Sequence, residues 1–368
     1  MTPADLSLTV LRAVRRAVGD GVLAVRELPS RVTVERPRPG GLGDWATNAA
    51  LQLARPAALP PRQVAEVLRE RLLDVPGIER VDITGPGFLN LTLRPDARAA
   101  AGRLLVRRVR EEGMRYGYGD ALAGLPEEQV RFLLPHGADP RQRVLTRTVV
   151  ALLRSQGAPA RLVQDRTPQA PAPQADAPQP HEPQPGAPQD RTPQPGAPQN
   201  TAPRALPPHY DVAAVLPRDA QRWAMLRPAP HDRVLDPAPL LRLTESSGNG
   251  LFTVQYAHAR AAALLRNAAD LGFGPVYDED VHAPELLAAL GDHPDVLLAA
   301  ARQHAPDRLA RHLEALADTF LGFQHTVLPL GDEKPSAAHR SRLALAEAAG
   351  TVLAGGLSLL GVSAPAHL

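Results

Sequence analysis

Apolar residues recur at helical spacing near the start of the chain. Leu8, Leu11, Val14 and Val18 form one stripe, which predicts an amphipathic helix. Val32-Thr33-Val34 predicts a short strand. Asp44 is placed to cap a helix running through Ala54, and Pro60-Pro61 opens another with Val64, Leu68 and Leu72 on one face. Val81 and Ile83 alternate with polar neighbours, Gly85-Pro86-Gly87 marks a turn, and Phe88 followed by Leu89-Asn90-Leu91-Thr92-Leu93 completes a hairpin. Asp96 is placed to cap a long helix reaching about Arg115, with Arg103, Arg107 and Arg110 along one side.

The pattern then changes. Val130 to Leu134 reads as a buried strand, Arg141 to Gln156 as a helix with Val144, Thr148 and Leu152 aligned, and Ala160 to Val163 as a second strand: one βαβ unit. Two parallel strands do not hold a sheet alone, so this unit must pack on a neighbour. Residues 166–208 contain 14 Pro and 7 Gln, no aromatic residue, and a repeat in which Gln184 to Gln189 recurs as Gln194 to Gln199. Such a stretch has too little apolar surface to offset the entropy of ordering, so it is expected to be a disordered linker. Beyond it, Asp219–Leu226, Val254–Ala269, Ala283–Leu290, His293–Ala305, Asp307–Thr319 and Ser336–Leu360 carry helical spacing or caps. Pro294 and Pro306 sit near expected helix starts. An antiparallel helical bundle follows.

The fold class is therefore α/β plus all-α. A small N-terminal α/β domain (1–118) is followed by a vestigial βαβ unit (119–165), a Pro/Gln-rich linker (166–208) and a C-terminal helical bundle (209–368). Charge sharpens this division. Residues 1–165 hold 25 arginines against 18 acidic residues, whereas residues 209–368 hold 13 cations against 18 acids. If the chain meets nucleic acid, electrostatics favour the N-terminal part as the anchor. Lys334 is the only lysine. The absence of cysteine excludes disulfides, thiolate zinc sites and a cysteine nucleophile. No histidine or carboxylate set has metal-ligand spacing, so no metal is expected. The first residues are cut by Arg12, Arg15 and Arg16, unlike a secretory signal, and the uncharged stretch Thr351–Pro365 is too short to span a bilayer. The expectation is a cytoplasmic protein without a membrane segment.

Three stretches carry a resemblance. Gly43-Asp44-Trp45-Ala46-Thr47-Asn48, followed by Gly85-Pro86-Gly87-Phe88-Leu89-Asn90, is similar to the N-terminal additional domain of the arginyl-tRNA synthetase family. Val254-Gln255-Tyr256-Ala257-His258-Ala259-Arg260, and Ser341 to Leu345 through Leu359 to Pro365, resemble its DALR anticodon-binding domain; Asp219 to Trp223 is a fainter match ahead of that domain. The resemblance implies contact with the tRNA elbow at one end and with the anticodon side at the other. It also implies an adenylating core between them, with a two-histidine loop and a lysine-containing loop for ATP. Here the corresponding loop, Leu134-Pro135-His136-Gly137-Ala138-Asp139-Pro140-Arg141, has one histidine, and the Pro/Gln tract stands where the lysine loop would be. The chain also ends Pro365-Ala366-His367-Leu368 rather than with the family's arginine and methionine.

The resemblance and the residue pattern together nominate Asp44, Trp45, Asn48, Phe88, Asn90, Arg103, Arg107 and Arg110 as the N-terminal tRNA contacts, and Gln255, Tyr256, His258 and Arg260 as the C-terminal ones. Each has a structural alternative. Asp44, Trp45 and Asn48 could cap a helix and lock a loop, Asn90 could hold the turn, the three arginines could be a solvated helix face, and Tyr256 and His258 could pack the bundle. No catalytic residue and no cofactor are expected; the expected partner is tRNA, with arginine tRNA one candidate and the choice of tRNA left open. The rival reading is docking of a translation or amino-acid-metabolism protein without RNA.

Overall fold

A computed structural model describes the chain except residues 1–2, 26, 30–31, 38–40, 136, 165–199, 202 and 245–247. The elements in chain order are α1 (Pro3–Gly19), β1 (Val34–Glu35), β2 (Trp45–Thr47), α2 (Ala49–Ala54), α3 (Pro61–Leu73), β3 (Ile78–Thr84), β4 (Phe88–Leu93) and α4 (Pro95–Glu112). Then come β5 (Arg131–Leu134), α5 (Pro140–Ser155), β6 (Arg161–Gln164), β7 (Asn200–Thr201), α6 (Val212–Val215), α7 (Arg218–Leu226) and α8 (Pro237–Leu240). The chain finishes with α9 (Gly250–Asp270), α10 (Pro284–Arg302), α11 (Pro306–Phe323) and α12 (Ala337–Leu360). Two units emerge: one from residues 1–111, 264–287 and 325–347, the other from 112–263, 288–324 and 348–368.

The first unit is built on an antiparallel sheet in the order β1-β2-β4-β3. Alternation along β4 sends Leu89, Leu91 and Leu93 into the core, where they meet Leu6, Val10 and Val14 of α1 and Val64, Leu68 and Leu72 of α3. The β3–β4 turn holds Gly87 at φ +147°, and a Cβ there would stand 2.9 Å from the Pro61 carbonyl oxygen, so only glycine lets the turn rest on α3. Gly102 of α4 does the same for Tyr277: a Cβ at 102 would fall 2.5 Å from the phenol oxygen. Two expected caps are displaced. Asp44 does not cap a helix, because Trp45–Thr47 form strand β2; α2 starts at Ala49, whose N–H donates to Thr47 Oγ1 at 3.3 Å. Asp96 lies inside the first turn of α4 rather than ahead of it.

In the second unit β5, α5 and β6 form the expected βαβ unit with β5 and β6 parallel. A third strand, β7, joins the free side of β5, again parallel, giving the order β6-β5-β7. Strand structure thus resumes at Asn200, inside the span expected to be linker, and both flanks of the Pro/Gln tract belong to one sheet rather than to separate bodies. The rest of the linker expectation, 166–199 and 202, lies outside the described residues. Asp139 caps α5 by accepting from the Gln142 N–H at 3.0 Å, and Pro140 fills the first helical position.

Arg141 explains how the second unit coheres. Its side chain is fully buried, and the guanidinium donates to the carbonyls of Leu206, Met225, Pro228, Ala229 and Asp232. Burial pulls its pKa below the ordinary arginine value, while Asp139, Asp232 and Asp307 push back. A planar five-donor fork suits this task, since it satisfies several carbonyls of an irregular segment at once.

The expected helices 283–290 and 293–305 are one helix, α10, with Pro294 inside it. Proline at 294 has no N–H to offer the Leu290 carbonyl. That carbonyl instead accepts from the Tyr116 hydroxyl at 3.1 Å, and the Tyr116 ring stacks on His293 at 5.9 Å. The apolar helix α12 is long enough to cross a membrane by length and composition, but most of it is buried within the protein.

Candidate nucleic-acid interface

Among the N-terminal candidates, Phe88 and Asn90 are brought together. They are two residues apart on β4, so both project from the sheet face opposite Leu89 and Leu91. Phe88 pairs across the ladder with Thr84, and Asn90 with Asp82. Phe88 is 41 % exposed. Asn90 is buried, and its Nδ2 donates to Thr84 Oγ1 at 2.7 Å, which fixes the amide orientation.

Asp44 and Trp45 do other work. The Asp44 carboxylate accepts from the Leu93 N–H at 2.7 Å and its own N–H donates to the Leu91 carbonyl, so it stitches the incoming loop to the end of β4. Trp45 is core, with the Arg36 guanidinium 4.7 Å over its ring. Asn48 is half-buried and accepts from Gln52 Nε2 at 3.1 Å. The alternative that Asp44 and Trp45 serve the loop is the one the geometry supports.

Two of the three α4 arginines are engaged within their own unit. Arg103 donates to the Asp278 carbonyl at 3.1 Å. Arg110 donates to the Pro275 carbonyl at 3.1 Å and pairs with Glu347. Their guanidiniums hold segments of their own unit, and of the three Arg107 alone remains exposed without a described partner. Exposed arginines that were not among the candidates lie on α1 (Arg12, Arg15, Arg16) and α3 (Arg62, Arg69). Their helical spacing was the available signal, since the buried stripes of both helices leave these positions facing out.

The C-terminal candidates share α9. Gln255 Nε2 donates to Asp219 Oδ2 at 3.2 Å and to the Ser363 carbonyl at 3.1 Å. His258 Nδ1–H donates to the Pro365 carbonyl at 2.9 Å. Asp219 in turn accepts from the Ser363 N–H at 3.1 Å. Gln255 and His258 therefore strap the chain's last residues to the helix. Tyr256 stacks on Phe252 with centroids 5.7 Å apart, and Arg260 Nε donates to Gln324 Oε1 at 2.6 Å.

The histidine of the expected relic loop, His136, lies outside the described residues; the single lysine, Lys334, is exposed in the loop ahead of α12. Among the described residues no three His, Asp or Glu side chains are placed to hold a metal ion.

Comparison with known proteins matches residues 8–93 to the arginyl tRNA synthetase N terminal domain and residues 254–368 to the DALR anticodon binding domain. An arginine–tRNA ligase of Renibacterium salmoninarum is 42 % identical over 166 residues, which is 43 % of this chain and 29 % of that one. That of Paenarthrobacter aurescens aligns over the full length of both chains at 26 % identity, across 555 positions against the 368 residues here. The arginyl-tRNA synthetase of Thermus thermophilus has the same fold over the whole of both chains, with a TM-score of 0.60 at 15 % identity.

Proposed function

We propose that this arginyl-tRNA synthetase-like protein, with the family's N-terminal domain at one end and its DALR domain at the other, binds tRNA without aminoacylating it. One observation carries the reading. Between the two matched domains the one sheet among the described residues is the β5–α5–β6 unit extended by β7, whose loop 134–141 has one histidine and whose Arg141 is committed to backbone carbonyls. Stabilising charge at a transferring phosphoryl group requires several positioned cations and donors. Phe88 supplies an exposed ring on which an unstacked base could stack, on a sheet face where the buried Asn90 amide holds Thr84 of the adjoining turn. Two modest grips on one chain add through effective concentration when both reach the same RNA. The cytoplasm, where tRNA is charged, is the compartment this reading implies.

The catalytic half is tested by arginine-dependent ATP–pyrophosphate exchange with the whole chain. No exchange above the protein-free blank is expected, and clear turnover would overturn it. A protein partner in place of RNA is the second reading. It is favoured by the internal commitment of Arg103, Arg110, Gln255 and His258, four of the residues first nominated for RNA.

A further inference from the structure

We propose that the edge strand β3 of the first unit takes up a short, extended, acidic peptide segment of a partner protein as an added strand. β3 ends the sheet order, with β4 on one side. Among the described residues, no hydrogen bond is made to the outer edge of residues 79–83. Beside that edge runs a groove of about 420 Å³. Its strand wall is five successive residues, 80–84, and its helix wall is the α3 stripe Arg62, Glu66, Arg69 and Leu73, one residue per turn. A strand edge facing a helix across a groove is the geometry in which peptides bind by strand addition, with main-chain hydrogen bonds giving affinity and side-chain pockets giving selectivity.

The groove also says what would fit. Leu42 and Leu73, 52 % and 42 % exposed, offer apolar seats beside the strand. Arg62 is within 3.8 Å of Glu66, and Arg80 pairs with Asp82 at 2.8 Å. Arg69 has no ion pair among the described residues, so the groove carries one unanswered positive charge. A segment alternating apolar and acidic residues meets both features, since alternate side chains of an added strand point the same way. The register shift between Ile78 and Arg80 breaks the ladder at one end and confines a partner to the 80–84 stretch. Single-stranded RNA suits the groove less well. No aromatic ring lines it, and Glu66 and Asp82 would face the phosphates.

The test uses the whole chain and a fluorescein-labelled octapeptide alternating valine and glutamate, capped at both ends, with binding followed by fluorescence anisotropy. Saturable binding with Kd below about 100 μM is expected, weakened about tenfold or more by Arg69→Glu and by Leu73→Asp. Both side chains are exposed, so thermal melts of the variants should match the parent. N-methylation of alternate peptide amides should abolish binding in one of the two phases, because only one set faces β3. Three results would each overturn the proposal: no saturation up to about 1 mM protein, equal affinity in both variants, or equal tolerance of the two methylation patterns. Displacement of the peptide by a uridine oligomer, with the same sensitivity to Arg69→Glu, would assign the groove to RNA instead.

Discussion

The two sheets of this molecule are held by different means. In the antiparallel sheet of the first unit, the β3–β4 pairing closes over a three-residue turn, and its buried face is a continuous set of leucines and valines from β4, α1 and α3. In the parallel sheet of the second unit, β7 reaches β5 from the far side of the Pro/Gln tract, and only two residue pairs join them. There the segment after the tract is gathered by one buried arginine and five carbonyls. A local sheet can rest on apolar area, whereas a sheet assembled from distant segments with irregular backbone needs its polar groups satisfied individually.

The largest effect is expected at Arg141. Arg141→Met leaves the carbonyls without donors, and a loss of about 3–5 kcal/mol is expected. The chain has two tryptophans, Trp45 in the first unit and Trp223 in the second, so urea unfolding can be followed separately in Trp45→Phe and Trp223→Phe backgrounds. The Trp223 transition should move to lower urea, and the Trp45 transition much less. If both move equally, Arg141 does not act on one unit.

Acid should also separate the two. His293 and His312 of the second unit lie 5.2 Å apart, centroid to centroid. Burial, reinforced by the neighbouring His312, pushes His293 down to about 3, and burial alone pushes His312 down to about 4. A histidine whose folded pKa is depressed takes up its proton more readily when unfolded. Stability from these groups is therefore complete above about pH 6.5 and falls below it, until the folded values near 4 and 3 are reached, by up to about 2.7 kcal/mol per pH unit for two protons. The Trp223 transition should weaken between pH 7.5 and 5.5. In His293→Leu that dependence should roughly halve, and an unchanged slope would remove His293 from the account.

The smallest effect is at the proline in α10. Tyr116→Phe removes the one donor described for the Leu290 carbonyl and should cost about 1–2 kcal/mol, read by the same Trp223 transition. Replacing Pro294 with alanine in that variant should recover part of it, because an N–H returns to the helix.

The same contrast governs what the sequence reveals. α1, α3 and the β3–β4 hairpin were legible because their spacing is local and their partners are near in sequence. β2 was not: three residues are too few to show a period, and its partner β4 lies more than forty residues on, so Asp44 read as a helix cap. Pro294 read as a helix start because the hydroxyl that compensates for it comes from Tyr116, far away in the chain. At the candidate interface, Phe88 and Asn90 were legible as neighbours on one strand face. The commitments of Arg103 and Arg110 were hidden, since their acceptors are at 275–278 and 347. Those of Gln255 and His258 were hidden for the same reason, their acceptors lying at 219 and 363–365.

Binding of tRNA through the N-terminal sheet face is tested most directly by filter retention of purified arginine tRNA by the parent and by Phe88→Ala, each at two salt concentrations. Retention should weaken as salt rises, and the affinity should be about tenfold lower in Phe88→Ala with the salt slope unchanged, because a ring stacks on a base and neutralises no phosphate. Absence of retention by the parent at micromolar protein, or an affinity indifferent to Phe88, would contradict it.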